Sequence, residues 1–343
     1  MKRINIQNIL NHPLIAALAG VLWVFCSISC TDEQSLLSPA SGDTSTTLRI
    51  QTKGLVIDPN ADPTLAELEG YVKTLRIFFF NKDGQNEGYM WYSNDLSEET
   101  LYKEGESDAY ITIALDEENS FTPGNYEVYA VANETAGLFD GLELTEEANG
   151  FTPLDSKVTV KDIQDITFTV SEPPTSLTPT VDAPILMSAT EEEAILDGNN
   201  NMIIELKRTV GKVELASVTL KKGTEETSLE NYTYTLSASG TVLGTFPLFD
   251  GGTPGTDKKN LSVASTSLPL YLSESAESAV EISVTVNYDS QSYTGKLSSP
   301  VQIVRNNCIQ LNAIITQVEE ENCLLLQSSI AGWTSEELKP EYE

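Results

Sequence analysis

Imidazole is the scarcest chemistry in this chain. Its 343 residues contain one histidine, His12, and that residue lies inside an N-terminal segment that reads as an export signal. The rest of the chain therefore lacks the base or ligand that Ser-His and Cys-His nucleophile pairs, His-ligated zinc and non-haem iron sites require. Metal-binding cysteine clusters and phosphate-cradling glycine loops are missing as well. Basic charge is scarce, with 20 Lys and Arg against 51 Asp and Glu and a formal charge of −31. Such a field repels phosphate backbones and anionic headgroups, so nucleic acid is disfavoured as a partner and so is peripheral adsorption to membranes. Acidic residues run together at Asp116-Glu117-Glu118, Glu146-Glu147 and Glu191-Glu192-Glu193. Paired carboxylates can hydrolyse glycosides without histidine, but these runs stand in polar, loop-like surroundings and read as solvated charge. No segment matches a calcium loop. No catalytic, metal or cofactor site is assigned, and a protein that is not an enzyme is expected.

Long apolar runs are also few. Leu14 to Ile28 carries no charge and follows Lys2 and Arg3, yet it is shorter than the roughly 20 residues a membrane span needs. The run closes on Ser27-Ile28-Ser29-Cys30, which resembles a bacterial lipobox, where a cysteine behind a small residue receives diacylglycerol and becomes the mature N-terminus. Residues 1–29 are thus expected to be a lipoprotein signal peptide and Cys30 the lipidation site. Cys26 follows bulky Phe25 and fits less well. The competing reading is an ordinary secretory signal with an incidental cysteine. Asp32 and Glu33 resemble the signal that carries Bacteroidetes lipoproteins to the outer face of the outer membrane. Residues 30–45, rich in Ser, Thr, Asp and Gly, read as a flexible tether.

Beyond Thr46 there is no sustained helical periodicity and no fixed repeat. What recurs is period-two alternation of β-branched and aromatic residues, as in Tyr110 to Leu115, Tyr126 to Ala132, Ile166 to Val170, Tyr232 to Leu236 and Ile282 to Tyr288. The denser Leu75 to Phe80 reads as a central strand closed by a turn at Asn81-Lys82-Asp83-Gly84. One short helix is expected over Pro63 to Glu69, capped by Asp62 and stopped by Gly70. Cys308 to Val318 and Cys323 to Ala331 read as a hairpin, which would hold the two cysteines far apart; both are expected to be unpaired and buried. The prolines and charges of Ser171 to Asn201 suggest a boundary between two β-sandwich domains, residues 46–190 and 191–343. The fold class is all-β. Tyr89, Trp91 and Tyr92 read either as strand packing or as a sugar-stacking platform.

Several segments in order resemble the fimbrillin family of Bacteroidetes, within the type V pilin superfamily. They are Thr46 to Gln51, Leu75 to Asn81, Gly124 to Asn133, Pro184 to Ser188, Leu206 to Val213, Arg305-Asn306-Asn307 and the strand ending at Trp333. The resemblance implies two transthyretin-like Greek-key sandwiches in tandem, exported as a surface lipoprotein of a fimbrium. It also implies head-to-tail polymerisation with other fimbrial subunits, in which a protease frees the first strand and a neighbour's strand replaces it. Here the exchanged strand would be Thr46, Thr47, Leu48, Arg49, Ile50, Gln51 and Thr52, and the cut would follow Lys53, with Arg49 as a second candidate. The tail Thr334 to Glu343, with four glutamates and Pro340, makes a poor donor strand and suits an anchor or accessory subunit. A host or bacterial surface receptor belongs to the same expectation. The alternative is a surface lipoprotein that binds glycans as a monomer, with an exposed aromatic platform.

Overall fold

Alternating burial organises the strands. In Glu281–Tyr288 the side chains of Ile282, Val284 and Val286 are buried while Ser283, Thr285 and Asn287 are not, because a strand turns successive residues to opposite faces. The computed structural model describes residues 46–332 except 53–62, 83–87, 95, 97–99, 102–108, 116–121, 143, 145–149, 172–176, 197–200, 250–258, 267–268, 277–278 and 318–321. The expected signal peptide, the tether and the tail from Trp333 lie outside the described residues.

The elements in chain order are β1 (Thr46–Thr52), α1 (Leu65–Gly70), β2 (Leu75–Asn81), β3 (Gly88–Ser93), β4 (Thr100–Leu101), β5 (Ala109–Leu115), β6 (Gly124–Ala132), β7 (Gly150–Pro153), α2 (Val160–Gln164) and β8 (Thr167–Val170). There follow β9 (Met187–Leu196), β10 (Asn201–Glu205), β11 (Lys207–Arg208), β12 (Val210–Lys222), β13 (Glu225–Ser228), β14 (Thr233–Pro247), β15 (Lys259–Thr266), β16 (Leu270–Ser273), β17 (Glu281–Tyr288), β18 (Gln291–Lys296), β19 (Asn307–Gln317) and β20 (Asn322–Gly332).

They form four sheets. A four-stranded sheet, β10-β1-β5-β4, faces a six-stranded one, β11-β9-β6-β2-β3-β7. Leu48, Ile111, Ile113 and Ile204 from the first meet Leu75, Ile77, Phe79, Val128 and Leu196 from the second in one core. A second sandwich places β13-β12-β19-β20, with β16 beside β12, against β15-β14-β17-β18. Its core holds Val213, Leu311, Ala313 and Ile315 against Leu236, Val284 and Val286. The all-β reading therefore holds, and β2 is the expected central strand, paired with both β3 and β6. Both its faces are covered. Phe78 and Phe80 sit in a separate cluster with Ile163 of α2, Tyr129, Leu248 and Phe249.

Three expectations change. The expected helix cap Asp62 lies outside the described residues; the N-cap is Thr64, whose hydroxyl accepts from the Glu67 amide while the Glu67 carboxylate accepts from Thr64, a reciprocal capping box. The break expected between residues 190 and 191 falls inside β9, which runs from Met187 to Leu196 along β6. Glu192 and Glu193 are exposed there, beyond the two residue pairs that join β9 to β11, so the acidic run lies on a largely open strand edge, where charge discourages stray pairing. In return β8 pairs with the end of β14. Finally, β19 and β20 do form the expected hairpin, with Cys308 opposite Ala331 and Cys323 opposite Thr316. Both thiols are free, but only Cys308 is buried; Cys323 is exposed.

β14 pairs with β17 over Thr233 to Ser239 and with β8 over Gly244 to Pro247, and its register against β15 shifts between Ser239 and Thr241. Gly240 lies in the bulge at φ 85°, and a Cβ there would sit 2.3 Å from the Ala279 carbonyl oxygen. Gly240→Ala is expected to lower stability by about 2 kcal/mol or more, combining the left-handed penalty with a backbone clash. Urea unfolding monitored by circular dichroism measures the difference.

Candidate assembly interface

β1 occupies an interior position with no covalent neighbour beside it. It runs antiparallel to β5, from Thr46 opposite Leu115 to Thr52 opposite Ala109. On its other side it runs parallel to β10, from Thr47 opposite Asn201 to Gln51 opposite Glu205. The segment Thr46 to Thr52 coincides with the strand expected from sequence. Leu48 is fully buried in the first core beside Ile111, Ile113 and Ile204, a burial worth about 1.5–3 kcal/mol for a leucine side chain. Arg49 is held in the middle of the ladder, opposite Thr112 and Ile203. Lys53 follows the end of the strand and lies outside the described residues, as does Cys30. Taking β1 away would leave β5 and β10 facing each other across one strand's width, each with a row of unsatisfied backbone groups.

The chain after β1 is tied down by charge. α1 ends at Glu69 and Gly70, both buried. The Glu69 carboxylate accepts hydrogen bonds from Lys212 Nζ at 3.1 and 3.2 Å and from the Tyr271 hydroxyl at 2.7 Å. Lys212 lies on β12 and also contacts Glu214 at 3.0 Å, while Tyr271 lies on β16, so one carboxylate of the first sandwich bridges two strands of the second. Arg208 Nε donates to the Glu69 carbonyl at 2.7 Å and Arg208 Nη1 to Asn306 Oδ1 at 3.1 Å. Between these charges Gly211 lets the backbone of Val304 approach, since a Cβ would fall 2.6 Å from its carbonyl oxygen. Nearby, Asn133 donates to the carbonyls of Tyr71 and Ile185 and accepts from the Lys73 amide. Arg305 donates to the carbonyls of Pro247 and Leu248 and pairs with Glu274 at 3.0 Å.

Electrostatics follow from this burial. Desolvation opposes the Lys212 ammonium, but Glu69 and Glu214 outweigh it and hold the group above the ordinary lysine value. The folded state thus binds this proton more tightly than the unfolded chain does. The contribution is complete below the ordinary lysine pKa and fades only as pH rises through the raised value. Burial brings the Arg208 guanidinium down to about 10, leaving it charged at neutral pH. Burial, and then Glu214, push the Cys308 thiol up to about 12; it stays protonated and unreactive.

Other sequence candidates do not gather into a site. Tyr89, Trp91 and Tyr92 are 8%, 4% and 8% exposed, so they are core residues and no sugar platform. Tyr92 instead lies under the Arg76 guanidinium, 4.3 Å from its ring centroid, and Arg76 pairs through two hydrogen bonds with Glu134. Asp116 to Glu118 and Glu146-Glu147 lie outside the described residues. Among the described residues no three His, Cys, Asp or Glu stand together as metal ligands. The charge cluster around Glu69 was not anticipated from the sequence. Its signal was Lys212 in the middle of the apolar run Val210 to Val213, where a buried ammonium demands a partner.

Paired sandwiches with an interior first strand place the chain in the all-β class. The model of the family described as major fimbrial subunit protein (FimA) matches residues 47–273, and the chain belongs to that family. It is a structural subunit of a cell-surface fimbrium. Among solved structures it is similar to the tip fimbrial protein Mfa3 of Porphyromonas gingivalis, at 13% identity and a TM-score of 0.50, covering 84% of this chain and 100% of that one. A fimbrial assembly protein of Parabacteroides distasonis aligns at 16% identity and a TM-score of 0.49, covering 84% and 98%. A fimbrilin of Porphyromonas gingivalis aligns at 11% identity and a TM-score of 0.40, covering 85% and 99%. No curated protein matches the sequence.

The Glu69 bridge makes a quantitative prediction. Lys212→Met leaves a buried carboxylate without its main counter-charge and is expected to cost about 3–5 kcal/mol. The double variant Glu69→Leu/Lys212→Met removes both charges and is expected to recover more than half of that loss. Chemical denaturation of the two variants side by side decides it.

Proposed function

We propose that this chain is exported as a lipoprotein, acylated at Cys30 on the outer face of the outer membrane, and joins its fimbria by strand replacement. The observation that carries this reading is the placement of β1, enclosed by β5 and β10 and continued into the rest of the fold only through residues 53–62. A cut in that segment turns β1 from a covalent part of the sheet into a bound peptide. Once β1 leaves, a strand from a neighbouring subunit regains the ladder hydrogen bonds and the Leu48 pocket together, as in β-augmentation. Repeated head to tail, this gives an open filament.

Lys53 is the preferred cleavage point because it follows the strand in sequence, whereas Arg49 is paired with a neighbour on both sides. The mature body after the cut is two sandwiches joined around Leu206 to Val213. The acidic, proline-containing tail Thr334 to Glu343 suits an anchor or accessory position better than a repeating stalk, since it has few apolar side chains for a pocket. An adhesive contribution to a host or bacterial surface accompanies the structural role.

Two measurements test the reading. Mass spectrometry of the protein extracted from the cell surface is expected to show an acylated Cys30 terminus before processing and a Gly54 terminus after it. Fibres in which every copy still begins at Cys30 would rule out the cut. Leu48→Ala is expected to destabilise the uncut chain by about 2–5 kcal/mol through the cavity it leaves and to speed loss of β1 after proteolysis, read as release of the peptide by gel filtration.

A further inference from the structure

The far end of the second sandwich carries a depression that the assembly reading does not use. β12 starts at the junction with Val210 and ends at Lys222, and the chain returns through Leu229 to Tyr232 into β14. Thr233 opens β14 opposite Asn287 of β17, and the Asp289-Ser290 turn, with φ values of 49° and 61°, joins β17 to β18. These segments line a shallow, open depression of about 380 Å³.

Its composition is unusual for a sandwich rim. Tyr232 and Tyr288 are half-buried, their rings resting on the second core. Tyr232 lies beside Tyr234, with ring centroids 6.3 Å apart. The exposed side chains of Asn231, Asp289 and Ser290 complete the rim. Asn287, by contrast, is already engaged, accepting from the Ser292 hydroxyl at 2.5 Å and donating to Thr233.

Aromatic faces fixed by packing, ringed by amide, carboxylate and hydroxyl groups, match a pyranose ring. Its C–H face stacks on tyrosine, and its hydroxyls donate to and accept from Asn and Asp side chains. Charge narrows the class. Asp289 lines the depression, and the exposed Glu230 precedes Asn231 in sequence, in a chain of formal charge −31, so sialylated, sulfated and uronic sugars are repelled. We propose that this depression binds the neutral hexopyranose end of a surface glycan. The site is separate from β1 and its groove, so it operates whether or not the first strand is cut.

The test is saturation-transfer NMR on the full chain, held in a detergent without a sugar headgroup. The probes are methyl glucopyranoside, galactopyranoside and mannopyranoside, with N-acetylneuraminic acid as the anionic comparison. Transfer to at least one neutral glycoside and none to the acid is expected. Tyr232→Ala/Tyr288→Ala should abolish the signal. Because that pair also packs on the core, the second variant is Asn231→Ala/Asp289→Gly, in which glycine retains the left-handed turn. It should melt at the same temperature as the parent and bind about tenfold more weakly, the loss of roughly one well-placed hydrogen bond. No transfer to any neutral glycoside, transfer to the acid, or undiminished binding by the folded Asn231→Ala/Asp289→Gly variant overturns the site.

Discussion

The buried carboxylate of Glu69 sets the terms for the rest of the molecule. An isolated carboxylate taken out of water costs several kcal/mol, and this one, at the end of α1, is met by Lys212 from β12 and Tyr271 from β16. Apolar contacts between sandwiches would tolerate sliding by a fraction of a residue. A bidentate-like contact with an ammonium and a hydroxyl does not, so the relation between the two halves is fixed by geometry instead of by area alone. The cluster of Arg208, Asn306 and the Glu69 carbonyl extends the same constraint along the backbone. It follows that segments widely separated in sequence, Leu206 to Val213 and Arg305 to Asn307, act as a single structural element.

This arrangement also explains how a strongly acidic chain folds compactly. Among the described residues, exposed carboxylates stand on the edge of β9 and on the β13 hairpin, where Lys221 pairs with Glu226 at 2.9 Å. Among the described residues the buried cations, Arg76, Arg208, Lys212 and Arg305, are each placed where a carboxylate or carbonyl meets them. Basic residues are rare, and several of them are spent inside the fold. The outer surface is left to repel anions, and the exposed strand edges to discourage random pairing.

Much of this was legible in the sequence. Period-two burial located β17, the dense apolar run located β2, and the polar turn between two β-branched runs located the β19–β20 hairpin. Thr46 to Thr52 was expected as a strand from the resemblance to the fimbrillin family, not from its own periodicity. Pairings between distant segments could not be read, because alternation says which face is buried and nothing about the neighbour. The parallel match of β1 with β10 and the seating of β8 on β14 are of this kind. The acidic run at Glu191 to Glu193 misled because charge marks open edges as well as linkers. Asp62 was mistaken for a cap because Thr64 and Glu67 satisfy the first turn of α1 from within the same few residues. Cys323 was expected to be buried, but its position on β20 is set by register with Thr316, which sequence alone does not fix.

The parallel pairing of β1 with β10 has a bearing on biogenesis. Thr47 meets Asn201, so a segment near the front of the polypeptide waits for one made much later before its sheet can close. Loop closure over such a distance is entropically slow, and sheets built from remote partners fold late. During translocation the chain therefore passes through a period in which Leu48 and the apolar faces of β5 are uncovered together. A newly exported molecule needs either shielding by a holding factor or rapid completion as far as Glu205 to escape aggregation.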